Sequence, residues 1–343
     1  METPDASTPF PSGAPDAHDA LVALEKALDR HRAPPIAELL ARRGLGPYRG
    51  YAGMLEAMQR LAAAGAVIEP LGHSVRGEPL LALGFGAARR GRFARTSVVV
   101  SGLHPLEWIG IETSLALAGR LVGRDLGDRS VLIVPVANPD GVLRVDRNLR
   151  EGRRRFVRHN AHGVDLNRHF DARWGHRGLL ARLVPSVFRA GTRAESEPEV
   201  SALAFALGSR RVDRALSLHS FGGAVLYPSS HQLRAPADAE EHRVWAQRIA
   251  ALADDRPYRV VQGSWFALGA TMGGLELDWF HERHGALSLL VECSRGGFGL
   301  RPSRALDPFA WFNPPTPHAT ATRIARAVEG FVTGGVTVTG RAP

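Results

Sequence analysis

The chain has 343 residues, of which 44% are hydrophobic and 22% are charged, a composition typical of a globular protein with a sizeable core. It has no apolar run long enough for a transmembrane helix, no signal-peptide pattern and one cysteine, Cys293, so a membrane protein and a disulfide framework are excluded and a cytoplasmic location is expected. The net charge of +9 comes almost entirely from arginine, which is abundant throughout together with Ala and Gly, so we interpret it as a compositional bias and expect no specific nucleic-acid partner.

The segment before the main domain is predicted in two parts. Residues 1–20 are rich in Pro, Ala and Asp and are expected to form a disordered tail. Residues 21–47 are predicted as a helical extension, because residues 18–43 have the pattern of two amphipathic helices broken at Pro34-Pro35.

Apolar strands alternate with helices in the main domain, which is expected to span residues 48–335, with a short tail at 336–343. The predicted strands cover residues 66–72, 79–86, 96–102, 130–141, 215–222 and 286–294. The predicted helices cover residues 54–65, 107–123, 196–208, 238–254 and 320–332, and a long arginine-rich loop is expected after residue 141. This alternation predicts an α/β fold with a mixed, largely parallel central β-sheet and helices on both faces.

Polar residues lie at or just beyond the carboxyl ends of several predicted strands, where sites gather in such sheets. His104 and Glu107 follow one strand, and His219 follows another. Two imidazoles and one carboxylate are the three-ligand set of a catalytic zinc site, whose fourth position is left to water. About one His-x-x-Glu pair is expected by chance in a chain of this composition, so the prediction depends on His219 as well.

Glu292 lies in the apolar run "LLVECS", where a buried carboxylate is costly unless it is paired or functional. Two hypotheses stay open: a salt bridge to one of the many arginines, or a general base for a metal-assisted hydrolysis. Strand alternation places Cys293 on the opposite face, as a small core residue. His281 and His284 have ligand-like spacing but no evident carboxylate partner, and we expect them to be exposed.

The run "GVDLNRHF", residues 163–170, contains a second set of candidate site residues. Asn167 and Arg168 can bind a carboxylate through charge-assisted hydrogen bonds. Asp165 can accept a hydrogen bond from the outer nitrogen of a metal-binding histidine and fix its orientation. A solvated loop is the competing interpretation of the same residues.

Together these motifs resemble the zinc carboxypeptidase family, the M14 metallopeptidases, from about Tyr48 to Val332. "GLHPLE" resembles the first zinc motif, "NPDG" the turn after the second central strand, and "GVDLNRHF" the G-x-D-L-N-R-N-F motif. "SEPE" and "SLHSFGGAVLYP" resemble the run before the third ligand and the strand and loop that carry that ligand. "DW" at 278–279 precedes Glu292 at the spacing that the family shows.

The resemblance implies hydrolysis of an amide bond by water promoted by one Zn²⁺ per chain, bound by His104, Glu107 and His219. It further implies that Glu292 moves the proton, and that Asn167 and Arg168 bind the terminal carboxylate of a peptide or peptide-like substrate. An arginine of the cluster at residues 144–158 would stabilise the oxyanion. We favour Arg158, with the alternatives in the 150–155 group being Arg150, Arg153 and Arg154.

The sequence departs from the family pattern at several positions. Leu106 stands where an arginine is common, Ala270 where a mobile tyrosine is usual, and His169 where an asparagine is usual. Leu277 is expected to face the terminal side chain of the substrate, which suggests an apolar or small residue there. Glu276 beside it could instead attract a basic one, and the arginine cluster points to acidic peptides such as muropeptides.

Three alternatives to a carboxypeptidase remain at the level of the sequence. The nearest is a related hydrolase that acts on N-acyl amino acids or muropeptides, which the missing peptide-binding residues would suit. A non-catalytic module that binds only carboxylates is less favoured because all three ligands and Glu292 are present. An arginine-rich nucleic-acid binder would show a steep salt dependence of binding.

Overall fold

A computed structural model describes residues 17–32, 44–86, 94–266, 268–297 and 305–335. The predicted tail at 336–343, most of the predicted tail at 1–20 and the Pro34-Pro35 break lie outside the described residues. The first described helix begins at Ala17, inside the segment that we expected to be disordered.

The helices are α1 (Ala17–His31), α2 (Tyr51–Ala63), α3 (Trp108–Leu121), α4 (Pro139–Arg150), α5 (Leu179–Leu183), α6 (Pro198–Gly208), α7 (Ala239–Leu252), α8 (Gly263–Phe266), α9 (Glu276–His284), α10 (Pro308–Phe312) and α11 (Pro317–Val332). A single 3₁₀ turn covers Leu166–Arg168. The strands are β1 (Val67–His73), β2 (Pro79–Gly86), β3 (Arg95–Ser101), β4 (Arg129–Val134), β5 (Arg211–His219), β6 (Ala224–Tyr227), β7 (Arg259–Gln262) and β8 (Leu287–Glu292).

The eight strands form one mixed sheet in the order β1-β2-β4-β3-β5-β8-β6-β7. The central strands β4, β3, β5 and β8 are parallel, and β7 is parallel to β6. The pairs β1–β2, β2–β4 and β6–β8 are antiparallel. The prediction of a mixed, largely parallel sheet is therefore confirmed.

Helices cover both faces of the sheet, as predicted. Val98 and Val99 are neighbours on β3, yet they belong to two different hydrophobic clusters, because successive strand residues point to opposite faces. The cluster of Val99 includes buried residues of α2, α3, α7 and α11. The cluster of Val98 includes buried residues of α6 and α9. Among the helices of the described ranges, none is long and apolar enough to cross a bilayer.

The arginine-rich segment after β4 was wrongly predicted as a loop. The strand ends at Val134, and α4 begins at Pro139, with the Asn138 side chain accepting a hydrogen bond from the backbone N–H of Gly141. The arginines obscured a helical apolar stripe, which the buried residues of α4 show, including Val142, Val145 and Leu149. The "NPDG" turn is thus a helix start.

Two short strands, β6 and β7, were not predicted. Each has four residues, too few for a clear alternation of apolar and polar side chains. β6 pairs antiparallel to β8 and extends the sheet beside Glu292, since Ala224 is the partner of Glu292 in the register.

Candidate active site

Three neighbouring parallel strands bring the predicted site residues to one edge of the sheet. His219 and Glu292 are the last residues of β5 and β8, and they are partners in the register of these strands. β3 ends one residue before Gly102, whose φ of +70° turns the chain toward His104 and Glu107. Residues far apart in the sequence therefore meet where the parallel strands end.

His104, Glu107 and His219, called here the His–Glu–His group, are buried and converge on one point. The Nδ1 atoms of the two histidines lie 3.1 Å apart. Glu107 places Oε1 2.9 Å from Nδ1 of His104 and Oε2 2.9 Å from Nδ1 of His219. Two ligand atoms bound tetrahedrally at about 2.0–2.1 Å would lie about 3.3 Å apart, so these contacts between the three side chains are close to the spacing of a zinc site.

Each histidine of this group contacts a second carboxylate through its outer nitrogen. Nε2 of His104 lies 3.1 Å from Oδ1 of Asp165, and Nε2 of His219 lies 2.8 Å from Oε1 of Glu276. An ionised carboxylate only accepts hydrogen bonds, so both Nε2 atoms are protonated and donate. Metal binding requires a neutral ring whose Nδ1 lone pair faces the common point, and these contacts leave Nδ1 of each ring for that purpose. Without a metal, burial would lower the pKa of His219, but Glu107 and Glu276 outweigh burial and raise that pKa to about 10. The residues present therefore fit a zinc ion.

Neighbouring positive charges lower the pKa values of two buried carboxylates, Glu107 in the group and Asp165 beside it. Burial alone would raise the pKa of Glu107, but the positive charges of His104 and His219 outweigh it and lower that pKa to about 2. Burial of Asp165 is likewise outweighed, chiefly by Arg158, so the pKa of Asp165 is held well below its usual value. Asp165 is completely buried and accepts a hydrogen bond from Nε of Arg158 at 2.8 Å.

Glu292 has the surroundings of a base rather than of a salt bridge. It is only 8% exposed, and within the described residues its Oε2 atom has no hydrogen-bond partner. Burial, assisted by the charge of Glu107, raises the pKa of Glu292 to about 8, while His219 and Arg158 oppose that rise. A pKa of about 8 keeps Glu292 mostly protonated at neutral pH, and a cation held by the His–Glu–His group would shift it toward the ionised form that a base requires.

Asn167 and Arg168 are both buried on the 3₁₀ turn that follows Asp165, whose side chain accepts a hydrogen bond from the backbone N–H of Asn167. Oδ1 of Asn167 accepts a hydrogen bond from the backbone N–H of Glu276 at 3.0 Å. Nε of Arg168 has no partner among the described residues. Burial lowers the pKa of Arg168 to about 10, so its guanidinium stays cationic at neutral pH. The pair can still donate hydrogen bonds to an anion.

Of the four candidate arginines, Arg158 is the one that the structure places beside the His–Glu–His group. Arg150 pairs with Asp146, Arg153 with Glu151 and Arg154 with Asp307, whereas Arg158 pairs with Asp165. The guanidinium carbon of Arg158 lies 5.5 Å from the centre of the Phe188 ring, and that of Arg168 lies 5.2 Å from the same ring. One aromatic side chain thus contacts two of the predicted substrate-binding arginines.

Leu277 is completely buried and packs in a small apolar cluster with Ala224, Leu226 and Leu290. Leu106, at the position where the family often has arginine, is a buried core residue. These residues can shape an apolar environment but supply no charge.

The structure corrects two further expectations. Glu276 does not offer a free charge to a substrate, because it is completely buried and bonded to His219. His281 does have a carboxylate partner, since its Nε2 lies 3.0 Å from Oδ2 of Asp238. Cys293 is buried in the core, as predicted.

His169, the third departure from the family pattern, bridges two loops. Its Nδ1 atom donates to the carbonyl oxygen of Ala190 at 2.7 Å, and its Nε2 atom accepts from the backbone N–H of Glu197 at 2.8 Å. A neutral imidazole satisfies both contacts, so His169 has a structural position here.

The contacts of Glu276 and Phe188 were missed at the level of the sequence. Glu276 has one detectable signal, an acidic residue directly before the "LDW" run at the start of a helix. Phe188 lies in a segment without periodicity, so nothing in the sequence links it to either arginine.

Comparison with known proteins agrees with this arrangement. The zinc carboxypeptidase (peptidase M14) family model matches residues 53–311. Carboxypeptidase A1 of Sus scrofa is 26% identical over 257 residues, which cover 70% of this chain and 60% of that protein. The carboxypeptidase A of Helicoverpa armigera superposes with a TM-score of 0.67 at 20% identity and covers 94% of this chain and 82% of that chain, which shows the shared fold.

A protein described as an inactive metallocarboxypeptidase, from Ajellomyces capsulatus, is also similar, at 27% identity over 67% of this chain and 44% of that protein. The chain spans roughly half the length of these curated relatives, 44% to 60%. Similarity at this level establishes the family and the fold but not the activity of this chain. The extent of the family match, together with the His–Glu–His group at the ends of the central strands, shows that the chain belongs to the zinc carboxypeptidase family.

Proposed function

We propose that this chain is a zinc-dependent metallocarboxypeptidase that hydrolyses a C-terminal amide bond by the promoted-water mechanism. The observation that carries the proposal is the convergence of three side chains. The Nδ1 atoms of His104 and His219 lie 3.1 Å apart, and each of them lies 2.9 Å from one oxygen of Glu107. These three residues would hold one Zn²⁺ and leave a position open. When bound, the ion supplies Lewis acidity toward an amide carbonyl and toward water.

Glu292 moves the proton in this mechanism. It takes a proton from the attacking water and delivers it to the nitrogen of the leaving amine. Its buried carboxylate, its position opposite His219 in the sheet, and the lack of a hydrogen-bond partner for its Oε2 atom in the described part of the chain support this role. Proton transfer by a positioned side chain typically contributes about 10²–10⁴-fold to a rate.

The remaining residues bind and orient the substrate. Asn167 and Arg168 donate hydrogen bonds to its terminal carboxylate, which restricts cleavage to the last residue. Arg158 uses Nε to bind Asp165, so its two terminal nitrogens are left to stabilise the negative charge that develops on the carbonyl oxygen. Leu277 and its apolar neighbours favour an apolar or small terminal side chain.

Metal analysis and one substitution test the proposal. We expect about one zinc per purified chain, loss of amidase activity on chelation and recovery on adding zinc. Glu292→Gln is expected to keep the zinc and to lose at least about 10²-fold in kcat. Glu112→Gln is the control and should leave kcat unchanged. Glu112 is a buried glutamate of α3, and it pairs with Arg49. Equal turnover by Glu292→Gln and the unsubstituted enzyme would refute the mechanism.

A related zinc amidohydrolase that acts on N-acyl amino acids or muropeptides is the second candidate. Leu106 and Ala270 favour it, because they replace residues that peptide-cleaving members of the family usually carry. A panel of C-terminal peptides, N-acyl amino acids and muropeptides, compared by kcat/KM, separates the two. Binding of these compounds without turnover, with zinc present, would instead indicate a non-catalytic carboxylate-binding module.

A further inference from the structure

Glu276 contacts one residue of the His–Glu–His group, His219, and one residue of the proposed carboxylate-binding pair, Asn167. Its side chain lies 2.8 Å from Nε2 of His219, and its backbone N–H donates to Oδ1 of Asn167 at 3.0 Å. We propose that Glu276 is a positioning residue that sets the metal-binding state of His219 and the orientation of the Asn167 amide together. This inference deepens the proposed function and rests on it.

The contact with His219 decides which ring nitrogen faces the metal. Glu276 is completely buried, so water does not compete for its Oε1 atom. When Nε2 of His219 donates to Oε1 of Glu276 across 2.8 Å, Nδ1 is the nitrogen left to supply the lone pair that a metal requires. Nδ1 is the atom that lies 2.9 Å from Oε2 of Glu107, inside the His–Glu–His group. Without Glu276, the ring would be free to adopt the opposite tautomer.

The same residue fixes the amide of Asn167. Because Oδ1 accepts the backbone N–H of Glu276, the Nδ2 amide group is directed toward His219, at 3.5 Å from its Nε2 atom. With its oxygen occupied in this way, Asn167 has its amide donor rather than its acceptor left for a substrate carboxylate. A shift of Glu276 would move the metal ligand and the substrate-binding amide at the same time.

The energetics of Glu276 indicate a functional rather than a stabilising role. A buried carboxylate is costly, and within the described residues the Oε2 atom of Glu276 has no hydrogen-bond partner. Its position as first residue of α9 offsets part of that cost, because the N-terminus of a helix favours negative charge. A positive ion bound by His219 would offset more. Glu276 should therefore contribute to metal affinity more than to the stability of the metal-free protein.

Zinc affinity, measured by competition with a chromophoric chelator, tests the inference with Glu276→Gln and Glu276→Ala. Gln keeps an acceptor oxygen but not the charge, and Ala loses both. We expect the Kd for zinc to rise by about 10–100-fold, and more for Ala than for Gln. The visible spectrum of the cobalt-substituted protein should change in the same order. Metal-free Glu276→Gln should melt no lower than the metal-free unsubstituted protein.

Glu112→Gln is the matched control, and its Kd for zinc should stay within about twofold of that of the unsubstituted chain. If Glu276→Gln binds zinc as tightly as the unsubstituted chain, the inference is wrong. If the unsubstituted chain binds zinc but cleaves no substrate, only the proposed activity fails, whereas absence of zinc binding overturns both.

Discussion

Arg158 donates from Nε to Oδ2 of Asp165 across 2.8 Å, while the other oxygen of the same carboxylate lies 3.1 Å from His104. One buried carboxylate therefore connects the proposed oxyanion-binding arginine to a proposed zinc ligand. Their relative position depends on this single side chain and on the 3₁₀ turn that follows it.

Asp165→Asn should weaken both functions of this carboxylate. Asn offers one acceptor oxygen, so it can satisfy His104 or Arg158 but not both, and its amide group would face the other donor. We expect the Kd for zinc to rise by about 10–100-fold, with kcat falling as well. Chelator competition and steady-state kinetics measure the two effects. Unchanged zinc affinity in a folded variant would show that Asp165 does not orient His104.

Arg158→Ala should reduce turnover with little effect on metal content. Loss of one donor to a developing oxyanion typically lowers kcat by about 10²–10³-fold. Arg154→Ala is the control, because Arg154 belongs to the same arginine-rich run but pairs with Asp307 instead of Asp165. Similar kcat values for the two variants would mean that another arginine, or none, performs this role.

Phe188→Ala should impair substrate binding more than chemistry. The half-buried ring contacts the guanidinium groups of Arg158 and Arg168, and each such contact is worth about 0.5–2 kcal/mol. Its removal should let both arginines explore more rotamers and raise KM several-fold. Phe205→Ala, which changes a side chain that is 73% exposed on α6, is the control. A KM equal to that of the control would contradict the prediction.

Asp213→Asn should destabilise the fold in a pH-dependent way. Burial would raise the pKa of Asp213, but hydrogen bonds and charges from Arg129 and Arg95 lower it below its ordinary 3.8. The carboxylate therefore stabilises the fold fully above that value, and its contribution is lost as the pH falls through the folded-state pKa. At neutral pH the variant should lose about 1–3 kcal/mol of unfolding free energy, because the buried Arg129 loses a charged partner.

Denaturant titrations of both proteins at neutral pH and at about pH 3.5 measure this difference. The gap between the unsubstituted protein and Asp213→Asn should narrow at the lower pH. A gap that stays constant would show that the ionised carboxylate is not the cause.

The sequence predicted that the residues of the His–Glu–His group meet, because a general rule of sheet architecture applies to them. His104, His219 and Glu292 follow apolar strands, and parallel strands present their carboxyl ends at one edge. Such positions can be recognised without knowing any side-chain contact. The α/β fold was predicted on a separate basis, because helices alternate with strands along the chain.

Contacts between distant loops could not be predicted in this way. The bond between Glu276 and His219 depends on how α9 packs against β5 and β8, and Phe188 reaches the arginines from an irregular segment. Local composition also misled the prediction for α4, whose three arginines are interspersed among its apolar residues although Val142 and Val145 are buried. In each case tertiary packing decided the outcome.

The pairing of His219 with Glu292 across β5 and β8 restricts how this protein can diverge. A slip of one residue between these strands would put Val291 or Cys293 opposite the histidine and turn the acid to the other side of the sheet. Insertions and deletions inside either strand are therefore barred, whereas the surrounding loops are free to change in length. The loops around the site can therefore change in length and sequence while His219 and Glu292 stay opposite each other.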